Sequence, residues 1–144
     1  MKRKPISKKI RHQVYKKYGG HCAYCGSELK YEEMQVDHID PCELNDPGSR
    51  GGHEVKKTSE ELNDISNLNP SCRMCNFYKS SFSLEKFREN LQSTLLKNVK
   101  KPFQFRLAEK YGIVETHEKK IEFYFEKWKR IHNLHKKTIS QGTC

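Results

Sequence analysis

The chain has 144 residues, 34% of them hydrophobic and 32% charged, with a formal net charge of +10 and an isoelectric point near 9.3. That length fits one domain with at most an appendage and excludes two independent cores. The apolar inventory is thin, no run approaches membrane-spanning length, and the excess of Lys and Arg points to a polyanionic partner, with nucleic acid the first candidate.

The N-terminal arm is wholly basic, because every charged side chain before Glu28 is Lys or Arg. Ile6, Ile10, Val14 and Tyr18 recur at helical spacing from about Ser7, and Gly19-Gly20 stops the pattern. Residues 1–20 therefore read as a basic amphipathic helix, with Lys8, Lys9 and Arg11 as candidate nucleic-acid contacts against the plainer reading of a solvated charge run. The stretch MKRKPISKKIR lacks the apolar run of a secretory signal, which places the chain in a reducing cytosol. Lys2-Arg3-Lys4-Pro5 is too short a basic tract to carry a targeting reading.

From His21 to about Ser80 the sequence is punctuated by Cys, Gly and Pro. A strand is predicted over Met34 to Ile39, ended by Pro41, and a loop of turn formers runs from Asn45 to Gly52. Pro70 and Ser71 then precede a helix, with Ser71 a suitable N-cap. Cys72, Cys75, Asn76 and Lys79 lie three or four residues apart along its stripe. Leu84, Phe87, Leu91 and Leu95 mark a further helix that Pro102 breaks. Phe103 to Tyr111 and Ile121 to Ile131 read as more helix, and residues 136–144 as a disordered tail.

Four of the six cysteines form two short pairs, Cys22-Ala-Tyr-Cys25 and Cys72-Arg-Met-Cys75. Each C-x-x-C turn offers two thiolates, so the two pairs together supply the four soft ligands of a closed, structural zinc site. A redox pair is the rival reading, but no thioredoxin-like βαβ pattern accompanies it. Between the pairs sits Val36-Asp37-His38-Ile39. Adjacent residues in a strand face opposite ways, so Asp37 and His38 can share a site only where the strand ends. An Asp-His pair alone is weak, since a lone His is more often a packed or surface residue.

The order Cys-x-x-Cys, Val36-Asp37-His38-Ile39, Ser49-Arg50-Gly51-Gly52, Ile65-Ser66-Asn67-Leu68, Cys-x-x-Cys-Asn76 and then Lys79 resembles the HNH endonuclease family over about Tyr18 to Ser80. The resemblance implies an α+β chain whose 21–82 core is a ββα-metal unit stapled by zinc; beyond it, the helical spacing predicts a helical extension over 83–135. It implies a metal-dependent endonuclease acting on nucleic acid, first of all double-stranded DNA. His38 would be the general base, Asp37 and Asn76 the ligands of a catalytic Mg²⁺ or Mn²⁺, and Asn67 the brace of the loop carrying His38. Asn76 stands where the family has His or Asn. Arg50 and Lys79 are candidate phosphate clamps, with a solvated charge the plainer reading of each.

Other residues carry less. Cys42 reads as a small buried hydrophobe and His53 as a surface side chain. His132 and His135 have metal-compatible spacing without a third partner. Phe123-Tyr124-Phe125 with Trp128 could stack on bases, close a helical core or contact a second copy or another protein through the C-terminal helices. The main alternative to a nuclease is a zinc-knuckle protein that binds nucleic acid without cutting it. A third is an interaction module built on the C-terminal helices.

Overall fold

The computed structural model describes residues 5–40 and 58–140. Within them the chain is α+β, with helices arranged about one small antiparallel sheet. It divides into two compact units, one of residues 1–83 with 122–144 and the other of Leu84–Ile121. Among the described residues no helix is long and apolar enough to cross a membrane.

In the first unit, helix α1 spans Lys8–Lys16, and its first turn is capped by the Ser7 hydroxyl, which accepts from the Ile10 amide at 3.2 Å. Gly19 follows with φ +61°, where a side chain is strained and would also meet the Trp128 ring. Val14 and Tyr18 are the positions this stretch sends into the core.

Strand β1, Gln35–His38, pairs antiparallel with β2, Leu68–Ser71, setting Val36 opposite Pro70 and Asp37 opposite Asn69. Two strands alone are not independently stable. Here every residue of β2 is buried, and the Lys17 ammonium clamps its start, donating to the carbonyls of Ile65 at 3.0 Å and Leu68 at 2.8 Å. Between the strands, a short helix α2 (Ser59–Leu62) and a 3₁₀ turn (Ile65–Asn67) return the chain. Helix α3, Arg73–Lys79, follows β2 directly. Its N-cap is Cys72 rather than Ser71, because pairing with β1 holds Pro70 and Ser71 in the strand.

Helix α7, Tyr124–Ser140, rejoins this unit. The tail expected from residue 136 is therefore helical as far as Ser140. The amides of Tyr124 and Phe125 donate to the carbonyls of Tyr24 and Ala23 at 3.0 and 2.8 Å. Phe123 stands edge-on to Tyr24, and Tyr18 touches both Phe125 and Trp128. The aromatic run thus closes the core of the first unit. His132 stacks on Trp128 with centroids 4.2 Å apart.

The second unit holds α4 (Leu84–Glu89), a π turn (Asn90–Thr94), α5 (Leu95–Val99) and α6 (Phe103–Lys110). Arg88 and Gln92 tie its first helical stretch to Ile121, through the Ile121 carbonyl and amide, both at 2.8 Å. The helical extension expected over 83–135 is thus split, ending as a separate unit at Ile121.

Phe123 is 1% exposed and Phe103 is 64% exposed. Phe123→Ala should lower unfolding free energy by about 3–5 kcal/mol, the range for removing a buried phenyl ring. Phe103→Ala should change it by less than about 0.5 kcal/mol. Guanidinium unfolding of the two variants checks both.

Candidate metal and nucleic-acid cleavage site

The two C-x-x-C turns meet in space. In the first, the Gly26 amide donates to the Cys22 carbonyl at 3.0 Å, and Gly26 takes φ +78° with Tyr124 pressed against it. In the second, Cys72 Sγ accepts from the Cys75 amide at 3.4 Å, so a sulfur serves as the helix cap. The Sγ atoms of Cys22, Cys25, Cys72 and Cys75 all lie within 4.8 Å of one another, an arrangement able to hold a metal ion. Cys22 is held well below the usual thiol range, first by the hydrogen bond from the Cys75 thiol and then by backbone amides led by that of Cys72. The same bond pushes Cys75 up.

Beside this cluster, the end of β1 carries Asp37 and His38 on opposite faces. Asp37 is 5% exposed. Its carboxylate accepts from the Tyr24 hydroxyl and is paired with the Lys79 ammonium, which lies 3.2 Å from Oδ1 and 3.1 Å from Oδ2. Lys79 also donates to the His38 carbonyl at 2.8 Å and has no solvent exposure. Burial pushes the Asp37 carboxyl upward, against the opposing pull of Lys79 and then Tyr24. Burial likewise raises the Tyr24 phenol, and the Asp37 charge adds to it. On the other face, His38 Nε2 lies 3.1 Å from Asn63 Oδ1. A neutral ring making that contact donates through Nε2 and leaves Nδ1 as its acceptor.

Asn67 is buried and holds the chain just beyond His38. Its amide oxygen accepts from the Asp40 amide at 2.9 Å, and its nitrogen donates to the Asp40 and Leu62 carbonyls at 3.2 and 2.9 Å. Asn76 sits one turn before Lys79 on α3, partly exposed. Lys79 is not placed as a phosphate clamp, since a buried carboxylate demands a buried counter-charge and Asp37 takes it. Arg11 is likewise not a free nucleic-acid contact: its guanidinium ties α1 to the Tyr31 and Met34 carbonyls at 3.0 and 2.6 Å. Lys8 and Lys9 are exposed. Arg50, with Cys42, His53 and the turn formers of 45–52, lies outside the described residues.

Sequence reasoning missed Asn63, Tyr24 and Lys17. Tyr24 carried a signal, being one of the two residues inside the first C-x-x-C turn and so fixed next to the metal-binding sulfurs. Asn63 carried none, because it reaches His38 only through the return of the chain ahead of β2.

Residues 22–82 match the family model described as HNH endonuclease. The matched stretch is β1, β2 and α3 with both cysteine pairs, an HNH-like ββα arrangement. No curated protein matches the chain. Among solved structures it is similar to the Type II-C Cas9 enzyme from Actinomyces naeslundii, at 26% identity and a TM-score of 0.43, over 62% of this chain. The match takes in 9% of that enzyme's chain.

The sulfur cluster should bind one tightly held metal ion per chain, and Cys72→Ser should lose it together with several kcal/mol of stability, because metal binding in such sites is largely folding free energy. Elemental analysis and thermal unfolding of both proteins check this, and folded, reduced wild-type protein without metal refutes it.

Proposed function

We propose, from an HNH-like centre at residues 22–82, that the chain is a metal-dependent endonuclease hydrolysing phosphodiester bonds in double-stranded DNA. The observation that carries the reading is His38, fixed at the end of a strand with one ring nitrogen on Asn63 and the next turn of chain held by Asn67. The family match and the charge of +10 agree with it.

Zinc suits the cysteine cluster. A tetrahedral ion with Zn–S bonds of about 2.3 Å sets its sulfurs about 3.8 Å apart, and Cys25 and Cys72 are already 3.9 Å apart. It supplies a structural staple, in a reducing compartment where the thiols persist. For the catalytic ion, Asp37 and Asn76 are hard oxygen donors suited to Mg²⁺ or Mn²⁺. In this structure the Asp37 carboxylate carries the Lys79 ammonium, which the ion would have to displace. A bound Mg²⁺ or Mn²⁺ supplies Lewis acidity at the scissile phosphate.

The chain's own residues supply the rest. His38 Nδ1 takes a proton from water as the water oxygen forms a bond to phosphorus, and the P–O bond to the leaving oxygen breaks. Asn63 keeps the ring turned so that Nδ1 is the free nitrogen. Asn67 holds the backbone beyond His38 so that the ring does not drift. Lys8 and Lys9 on α1 add electrostatic attraction for the phosphate backbone. The second reading, a zinc-knuckle binder that does not cut, is favoured by one observation, the closed Lys79–Asp37 pair.

Supercoiled plasmid incubated with the protein and Mg²⁺ or Mn²⁺ should be nicked or linearised. His38→Ala should slow this at least about a hundredfold, the low end of what a general base contributes, while leaving binding intact. Near wild-type cutting by that variant removes His38 as the base, and wild-type binding without cutting under any divalent ion establishes the second reading. Asn76→Ala should raise the metal concentration needed for half-maximal rate without altering zinc content. Unchanged metal titrations remove Asn76 from the ion.

A further inference from the structure

Lys79 is a fully buried cation whose ammonium contacts both oxygens of Asp37 and the carbonyl of His38. With the Tyr24 hydroxyl on Oδ2, the carboxylate is matched in charge and in hydrogen bonds before any divalent ion arrives. Lysine has three protons and no acceptor, and two of them are donated to Asp37 Oδ1 and the His38 carbonyl while the charge also faces Oδ2. A divalent ion on the same carboxylate would face a like charge within contact distance, in a setting where burial weakens screening. The two cations are therefore alternatives at Asp37.

We infer that Lys79 is an internal competitor for the catalytic ion, a latch that leaves Asp37 when the ion binds and then offers its ammonium to the substrate phosphate. The inference rests on the reading of this centre as a metal-dependent nuclease. Lys79 is suited to the exchange because it ends α3, the next residue being Ser80 with φ +49°, and because it lies one turn beyond Asn76. Its long, flexible stem lets the ammonium move while the helix stays anchored by Cys72 and Cys75. Once released, the ammonium has lost its carboxylate, and a phosphate replaces that partner. Ion and nucleic acid should accordingly bind with positive coupling, each helping the other to keep Lys79 out.

Wild-type protein tests this without mutation. Lysine acylation by acetic anhydride, read residue by residue by mass spectrometry, should leave Lys79 protected in metal-free buffer with zinc retained. Saturating Mn²⁺ should expose it, with Lys8 labelling equally in both conditions. Mn²⁺ binding is followed in parallel by the electron paramagnetic resonance of free ion, with Asp37→Asn as the control for the site. Lys79→Met should bind Mn²⁺ about tenfold more tightly, within the usual range of coupling between sites, yet cut more slowly. Lys79→Arg, which keeps the charge, should bind no more tightly than wild type.

Protection of Lys79 that persists while Mn²⁺ occupies the Asp37 site overturns the latch and leaves the nuclease reading standing. Equal or weaker Mn²⁺ binding by a folded Lys79→Met protein also overturns it. Absence of any Mn²⁺ signal dependent on Asp37 overturns the latch and the metal-dependent reading together. If Lys79→Met does not fold, the wild-type labelling decides.

Discussion

Four sulfur atoms join two turns of chain whose facing cysteines, Cys25 and Cys72, are 47 positions apart in sequence. The described core is small, a handful of aliphatic and aromatic side chains about Val14, Tyr24, Met34 and Leu68. Apolar burial on that scale does little more than offset the entropy of ordering the chain. Closing one long loop at a metal-binding cluster supplies what the core lacks. It also fixes α3 directly after β2, so that Lys79 at the far end of that helix reaches Asp37 and the His38 carbonyl at the end of β1.

Strand alternation explains how one dipeptide serves two purposes. Asp37 turns inward to Tyr24 and Lys79, whereas His38 turns to Asn63 on the other face. The inward side is buried and charged, a combination that is costly unless both partners and their remaining hydrogen bonds are satisfied. Here they are, by a phenol and a backbone carbonyl. The outward side is half-buried, with His38 Nε2 on Asn63. The Asp37 side is closed by Lys79 and Tyr24, and the backbone just beyond His38 is held by Asn67.

The C-terminal aromatics give the first unit its completeness. Phe123 and Phe125 cover Tyr18 and Tyr24, and the backbone of 124–125 pairs with that of 23–24. The turn that carries Cys22 and Cys25 is thus held from behind by residues a hundred positions later. Gly26 is required there because its φ of +78° and the Tyr124 ring leave no room for a side chain. Between these two parts of the chain, residues 84–121 form a unit with its own internal ties.

Local chemistry was legible in the sequence. The spacing of Ile6, Ile10, Val14 and Tyr18 marked α1, the paired cysteines marked the sulfur cluster, and Val36-Asp37-His38-Ile39 marked β1, because each signal is carried by neighbours along the chain. It was the resemblance to the HNH family, not residue type alone, that implied Asp37, His38, Asn67 and Asn76 as a constellation. Partner choice was not legible. A lysine at the end of a basic helix looks like a phosphate contact until a buried carboxylate is found within reach, and Arg11 looks free until two carbonyls of a distant turn accept its protons. Asn63 has no motif, and it acquires a role only because the chain returns beside His38. Sequence alone determined which groups are present and which elements bear them. Tertiary structure decided which charges are spent on one another and which stay free for a substrate, because pairing depends on distance and burial across elements that the sequence does not place side by side.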